Sequence, residues 1–192
     1  VVALRCMLGG LGLASWVLMS RQWLRPTLRE GVWLLVGGVA LIVNWLCLFR
    51  AYHYSGIAIA TVVYHVQPFL LLLLAALVQR ETLPLRRMPW LALALVGVVF
   101  SSGALGAGAA ASTHWRGIVL ALVAAALYAM ATLATQRLKR LAPAQIAMLQ
   151  MAIGAAALLP LAWEARANTI FHAQAWVALL VLGLVHTAWM YT

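Results

Sequence analysis

Thr61, Tyr64, His65 and Pro68 interrupt an otherwise apolar stretch, and at about 100° per residue they share an arc of about 100° on one helical face. Gln67 falls outside that arc. The chemistry available there is hydrogen bonding by a hydroxyl, a phenol and an imidazole. Pro68 carries no N–H, so the carbonyl of Tyr64, one turn earlier, loses its helical donor and becomes an acceptor at a hinge. An imidazole changes charge around neutral pH, which makes His65 the candidate for proton-linked chemistry. The alternative is a neutral imidazole that only hydrogen-bonds a bound molecule or Tyr128, or a histidine satisfied by interhelical packing.

Three further groups of polar residues lie inside apolar runs. Tyr128, Thr132 and Thr135 follow the i, i+4, i+7 spacing of one helical face; their hydroxyls can face a bound molecule or bond back to their own helix. Asn44 beside Trp45 brings an amide that is costly to leave unpaired in lipid. His186, with Trp189 and Tyr191, supplies a second deep imidazole, the two aromatics serving equally well as packing residues. The candidate substrate-binding set is therefore Asn44, Thr61, Tyr64, His65, Pro68, Tyr128, Thr132 and His186. No catalytic set accompanies it: HExxH, GxSxG, paired intramembrane carboxylates and cysteine–histidine spacings are all absent. His53, His114 and His172 lie on or near connections without ligand spacing, so neither a metal nor a cofactor is expected. Cys6 and Cys47 read as buried apolar thiols.

The elements that hold these residues are hydrophobic spans. Val1–Ser20, Gly31–Phe49, Gly56–Gln79, Met88–Ala109, Gly117–Gln136, Ala142–Trp163 and Gln174–Thr192 each have the length a helix needs to cross a bilayer core, and none contains a carboxylate. Backbone in lipid must satisfy its own hydrogen bonds, so these spans are expected to be helices. Hydrophobic residues make up 66% of the chain and charged residues 8%, too few charges to cover a soluble surface. The net charge of +10 does not indicate nucleic acid, because the basic residues other than Arg5, which lies inside the first span, sit between spans and form no basic, aromatic-interleaved face. The expected partners are the lipid bilayer and a small-molecule substrate, and homo-oligomers are open to such a bundle.

Basic residues alternate between connections. Arg21, Arg25, Arg29, Arg80, Arg86, Arg87, Arg137, Lys139 and Arg140 occupy one set; Arg50, Arg116 and Arg166 occupy the other. The first set is assigned to the cytoplasm, so the first span runs from outside to inside. Trp33, Tyr52, Tyr54, Trp90, Trp115 and Trp176 stand at span ends as interfacial anchors. Gly9-Gly10, Gly37-Gly38 and Gly154 permit close helix contact.

A weak internal repeat places Ala3 on Ala147, Met7 on Met151, Gly10 on Gly154 and Trp45 on Trp189. Five spans begin within that offset, and an odd number per copy inverts the second copy, the arrangement of many secondary transporters. Ser101–Ser112, rich in glycine and alanine, then reads as the link between copies.

The order of motifs resembles the EamA type of the drug/metabolite transporter superfamily. Phe49-Arg50-Ala51-Tyr52-His53-Tyr54-Ser55 leads into Gly56–Gln79 with Gln67-Pro68 at mid-span. Glu81 follows, then Gly97 within Leu93-Ala94-Leu95-Val96-Gly97-Val98; Gly117–Gln136 and Leu182–Trp189 resemble the second repeat. The resemblance implies an all-α polytopic membrane protein built from two inverted five-helix repeats. Seven spans are present here as helices two to eight of ten, with one repeat in 1–109 and the second in 115–192. The chain starts on Val1 and stops on Thr192 inside a span, which fits a segment of a longer protein. The resemblance also implies a multi-pass location in the cell membrane, the inner membrane in a bacterium, and export or exchange of a small metabolite, amino acid or drug. The alternatives are a structural scaffold or an intramembrane enzyme. A retinal protein is excluded because Lys139, the one lysine, lies in a connection.

Overall fold

The computed structural model describes residues 2–21, 23–80, 86, 88–101 and 111–165. The seventh span, with His186, Trp189 and Tyr191, lies outside the described residues, as do Glu81 and Trp176. Six helices are described: α1 (Val2–Met19), α2 (Leu28–Tyr64), α3 (Gln67–Gln79), α4 (Met88–Ser101), α5 (Ala111–Gln136) and α6 (Pro143–Ala165). The chain divides into two compact units, Val1–Val39 with Ala134–Thr192, and Ala40–Leu133. The boundaries fall inside α2 and α5, so neither unit coincides with a linear half of the sequence.

α2 is two helices joined at one residue. Gly56 has φ 78° and ψ 162°, a region that only glycine enters without strain. A single straight helix of this length would be about 55 Å long, well beyond the roughly 30 Å of a bilayer core. The reversal at Gly56 turns it into a hairpin with arms on either side. The connection expected at Arg50–Ser55 is therefore helical. Nothing in those six residues breaks a helix, and the chain turns only where glycine allows it.

The span expected as continuous from Gly56 to Gln79 is interrupted at His65-Val66. Pro68 sits in the first turn of α3, where its missing N–H costs nothing, and the preceding residues close the break with turn-type bonds. The Val66 N–H donates to Val63 O at 3.1 Å, and the Phe69 N–H to Val66 O at 3.0 Å. Val66 keeps the right-handed helical conformation, φ −69° and ψ −13°, so the interruption is a gap in the bonding at a proline and not a reversal of the chain.

In the first unit α1 and α6 pack antiparallel. Gly10 lies against Met151, while Leu13 and Val17 share a buried cluster with Ala144 and Ala147. Gly38, early in α2, meets Ile153 of α6. In a membrane such contacts rest on van der Waals packing, which small residues bring to close range. Exposed side chains include Leu11 and Leu18 of α1, Leu28 of α2, and Trp90 and Phe100 of α4, as suits surfaces facing lipid. Trp33, Trp90 and Trp115 are exposed, in keeping with interfacial anchors, whereas Tyr52 packs inward on Ala51, Ala60 and Ala121.

Candidate functional site

The candidate site lies in the unit formed by Ala40–Leu133. Its scaffold is the α2 hairpin with α5 alongside. Gly117 of α5 approaches the hairpin tip at Ser55; one turn further, Ala121 packs between Ala51 and Ala60. Further still, Tyr128 meets Tyr64 with ring centroids 6.2 Å apart and planes at 78°, an edge-to-face contact. α5 therefore runs away from the tip along both arms. At 1.5 Å per residue, Tyr64 sits about 12 Å from Gly56, close to half the thickness of a bilayer core.

Asn44 comes from the other arm. It is 0% exposed, and neither its Oδ1 nor its Nδ2 completes a hydrogen bond of ordinary geometry, although the amide lies beside the Tyr64 hydroxyl. A buried amide without partners is unfavourable by about 1–3 kcal/mol, which makes it a group poised for a ligand or for a rearrangement. Asn44, Tyr64 and Tyr128 together offer donors, acceptors and aromatic surface, all uncharged. The charged side chains among the described residues of this unit, Arg50, Arg80, Arg86 and Arg116, are all exposed.

The other candidates are placed differently. The Thr132 hydroxyl donates to its own helix at Tyr128 O, 2.9 Å away, which takes up its proton. His65 stands exposed at the helix break, with Nδ1 2.7 Å from Thr61 O. A carbonyl only accepts, so Nδ1 carries a proton and Nε2 is left to the surroundings. Thr61 is half-buried and serves through that carbonyl. Pro68 opens α3. The helical bonding that the arc through Thr61, Tyr64, His65 and Pro68 assumes is interrupted at His65-Val66. Tyr64 is the member of the arc that meets Tyr128.

One polar cluster was not singled out from the sequence. In the first unit, Thr27-Leu28-Arg29-Glu30 forms a capping box: the Thr27 N–H and hydroxyl donate to Glu30 Oε2 at 2.7 and 2.8 Å. Arg140 grips the same carboxylate, with Nε 3.0 Å from Oε1 and Nη2 2.7 Å from Oε2, and Nη2 also donates to Arg25 O. The Gln145 amide, fully buried, donates to Leu24 O and accepts from the Leu24 N–H. Glu30 precedes the apolar run of α2, and the Arg140 guanidinium, with help from Thr27, holds its carboxyl down at about 2. The T-x-x-E pattern was legible in the sequence; its partners across the fold were not. Both connections belong to the basic set, and the Arg140–Glu30 and Gln145–Leu24 bonds bring them into contact.

The sequence pattern of the EamA-like transporter family matches residues 1–103 and 115–192. The chain belongs to the EamA-like transporter family. This agrees with the resemblance carried by the Gln67-Pro68 span and its flanking motifs, and it identifies the helices as those of a membrane protein. The chain is also 28% identical over 196 residues to the uncharacterized transporter YxxF of Bacillus subtilis (strain 168), covering 100% of this chain and 62% of the relative. The chain thus spans about three fifths of that relative's length. A solved crystal structure, 23% identical, superposes with a TM-score of 0.77 over 95% of this chain and 64% of its own, a likeness of fold. Among family features, the mid-span proline falls at the helix break beside Tyr64.

Proposed function

We propose that this EamA-family protein is a secondary transporter that exports or exchanges a small metabolite, amino acid or drug by alternating access. The observation that carries the reading is the buried Asn44 amide, without a hydrogen bond of ordinary geometry, beside Tyr64, whose ring meets Tyr128 about half a bilayer thickness from the Gly56 turn. Polar groups at such depth belong to a pathway or a binding site more often than to lipid. The absence of charged side chains near them among the described residues favours a substrate that presents an uncharged hydrogen-bonding group and a flat or apolar part here. A bare charge would gain no counter-ion in this low-dielectric setting.

Two further features support the reading. The helix break at His65-Val66 adjoins the site, as discontinuous helices do in transporters. α1 and α6, the helices paired by the internal repeat, meet antiparallel through Gly10 and Met151, as copies related by a two-fold axis in the membrane plane would. The seven-span, inverted-repeat layout with nine basic residues facing the cytoplasm is part of the same proposal.

Transport by the reconstituted protein, screened against a panel of metabolites, amino acids and drugs, tests it. Tyr64→Phe and Tyr128→Phe keep the ring contact and lose the hydroxyls, and each is expected to lower transport of the active substrate about tenfold, the effect of a lost hydrogen bond to a desolvated group. Unchanged transport in both variants would remove the site. No transport of any panel member would favour a scaffold.

A further inference from the structure

Apart from the candidate site, the first unit holds a pocket of about 450 Å³ at the junction of the two basic connections, lined by Arg21, Leu24, Lys139, Arg140, Leu141 and Ala142. Its charge is strongly one-sided. Glu30 neutralises Arg140 and holds it in place, through the guanidinium–carboxylate pair and the bond to Arg25 O. Arg21 and Lys139 are exposed. Arg21 sits just past the end of α1 in a left-handed conformation, φ 52°, that side chains other than glycine seldom adopt.

The start of α6 forms one wall of this open pocket. The Ile146 N–H bonds to Ala142 O, so Ala142 is the residue that caps the helix, and it has no side-chain oxygen to do so. Pro143 has no N–H. The partial positive charge of this terminus therefore adds to the two cations rather than being offset by a cap. Leu24 and Leu141 add an apolar wall beside the charges, and the apolar runs of α1 and α6 end here. The pocket is thus placed where phospholipid headgroups meet helix ends, on the side that the charge count assigns to the cytoplasm.

We propose that this pocket binds the phosphate of an anionic phospholipid headgroup, with Arg21 and Lys139 as its charged contacts and Leu24 and Leu141 against the first part of the lipid chains. The chemistry is that of a phosphate diester held by two cations and a helix N-terminus. Inorganic phosphate shares the charge but not the apolar part, so the two sources separate by experiment. The proposal stands independently of transport.

Purified protein in detergent, given equal amounts of phosphatidylglycerol and phosphatidylcholine, is to be weighed intact by native mass spectrometry. The expected result is preferential retention of phosphatidylglycerol. Arg21→Gln and Lys139→Gln should each cut that preference about fivefold, and the double variant should bring the two lipids close to parity. Arg25→Gln with Arg29→Gln removes the same number of charges, both from the connection that carries Arg21, without changing a side chain of the pocket, and should keep the preference. Equal retention of both lipids by the native protein would overturn the proposal, as would equal loss in the two double variants. Displacement of the lipid by millimolar inorganic phosphate would assign the pocket to a free anion and overturn it as well. Lys139 is an exposed loop residue, so its single variant gives a reading even if the Arg21 variants fold poorly.

Discussion

Asn44 and Tyr64 are neighbours in space because the chain reverses at Gly56. On one continuous helix they would stand about 30 Å apart. The hairpin sets the amide of one arm beside the phenol of the other, and α5 adds Tyr128. One backbone conformation therefore assembles the polar centre of this unit.

Gly56→Ala is expected to destabilise the protein by about 1–3 kcal/mol, because φ 78° with ψ 162° strains any residue with a Cβ. No neighbouring atom lies within 4 Å of the added methyl, so the cost is conformational and not a clash. Thermal unfolding in detergent measures it; a melting temperature equal to that of the native protein would show that the turn tolerates side chains.

Asn44→Leu separates function from stability. Leucine is close to asparagine in size and removes a buried amide without partners, so stability should stay level or rise by about 1 kcal/mol, while transport should fall at least tenfold. If stability falls steeply instead, Asn44 has a structural partner and the site reading weakens.

Gly117→Ala probes the contact of α5 with the hairpin tip. The new methyl would lie 2.8 Å from the Ser55 backbone nitrogen and meet its Oγ as well. Backbone cannot step aside as a side chain does, so overpacking of about 1–3 kcal/mol is expected. Ser55→Gly in the same chain should recover only part of it, since the nitrogen remains. Full recovery in a thermal-shift comparison would show that the Ser55 side chain, Cβ and hydroxyl, alone made the conflict.

Acid should loosen the connection held by Glu30. Its carboxyl is lowered from 4.5 to about 2, so the ionised form contributes stability above pH 4.5 that is lost as the pH falls toward 2. Glu30→Gln should flatten the stability profile across that window and leave the profile near neutral pH parallel to the native one. Added salt should weaken the native dependence, because the Arg140 side chain is 48% exposed. A native profile without a slope between pH 4.5 and 2 would contradict the ion pair.

What the sequence determined alone are properties of short stretches. Run length and the absence of internal carboxylates mark Val1–Ser20 and Ala142–Trp163 as helices, and helices are found there at Val2–Met19 and Pro143–Ala165; the segregation of arginines orders the connections, because lipid penalises backbone and charge locally. Gln67-Pro68 announced a break, since a missing N–H acts within one turn. The tertiary structure decided the rest. Arg50–Ser55 looks like a connection by its polarity, yet it is helical, and only the φ of Gly56 locates the turn. Asn44 could have faced either a neighbour or lipid until the hairpin closed it against Tyr64. Thr132 had two uses for its hydroxyl, and its bond to Tyr128 O shows one of them in use. Arg140 with Glu30, and Gln145 with Leu24, are distant in sequence. They pair because α1, the start of α2 and α6 are packed together, and which helices become neighbours is a property of the whole chain.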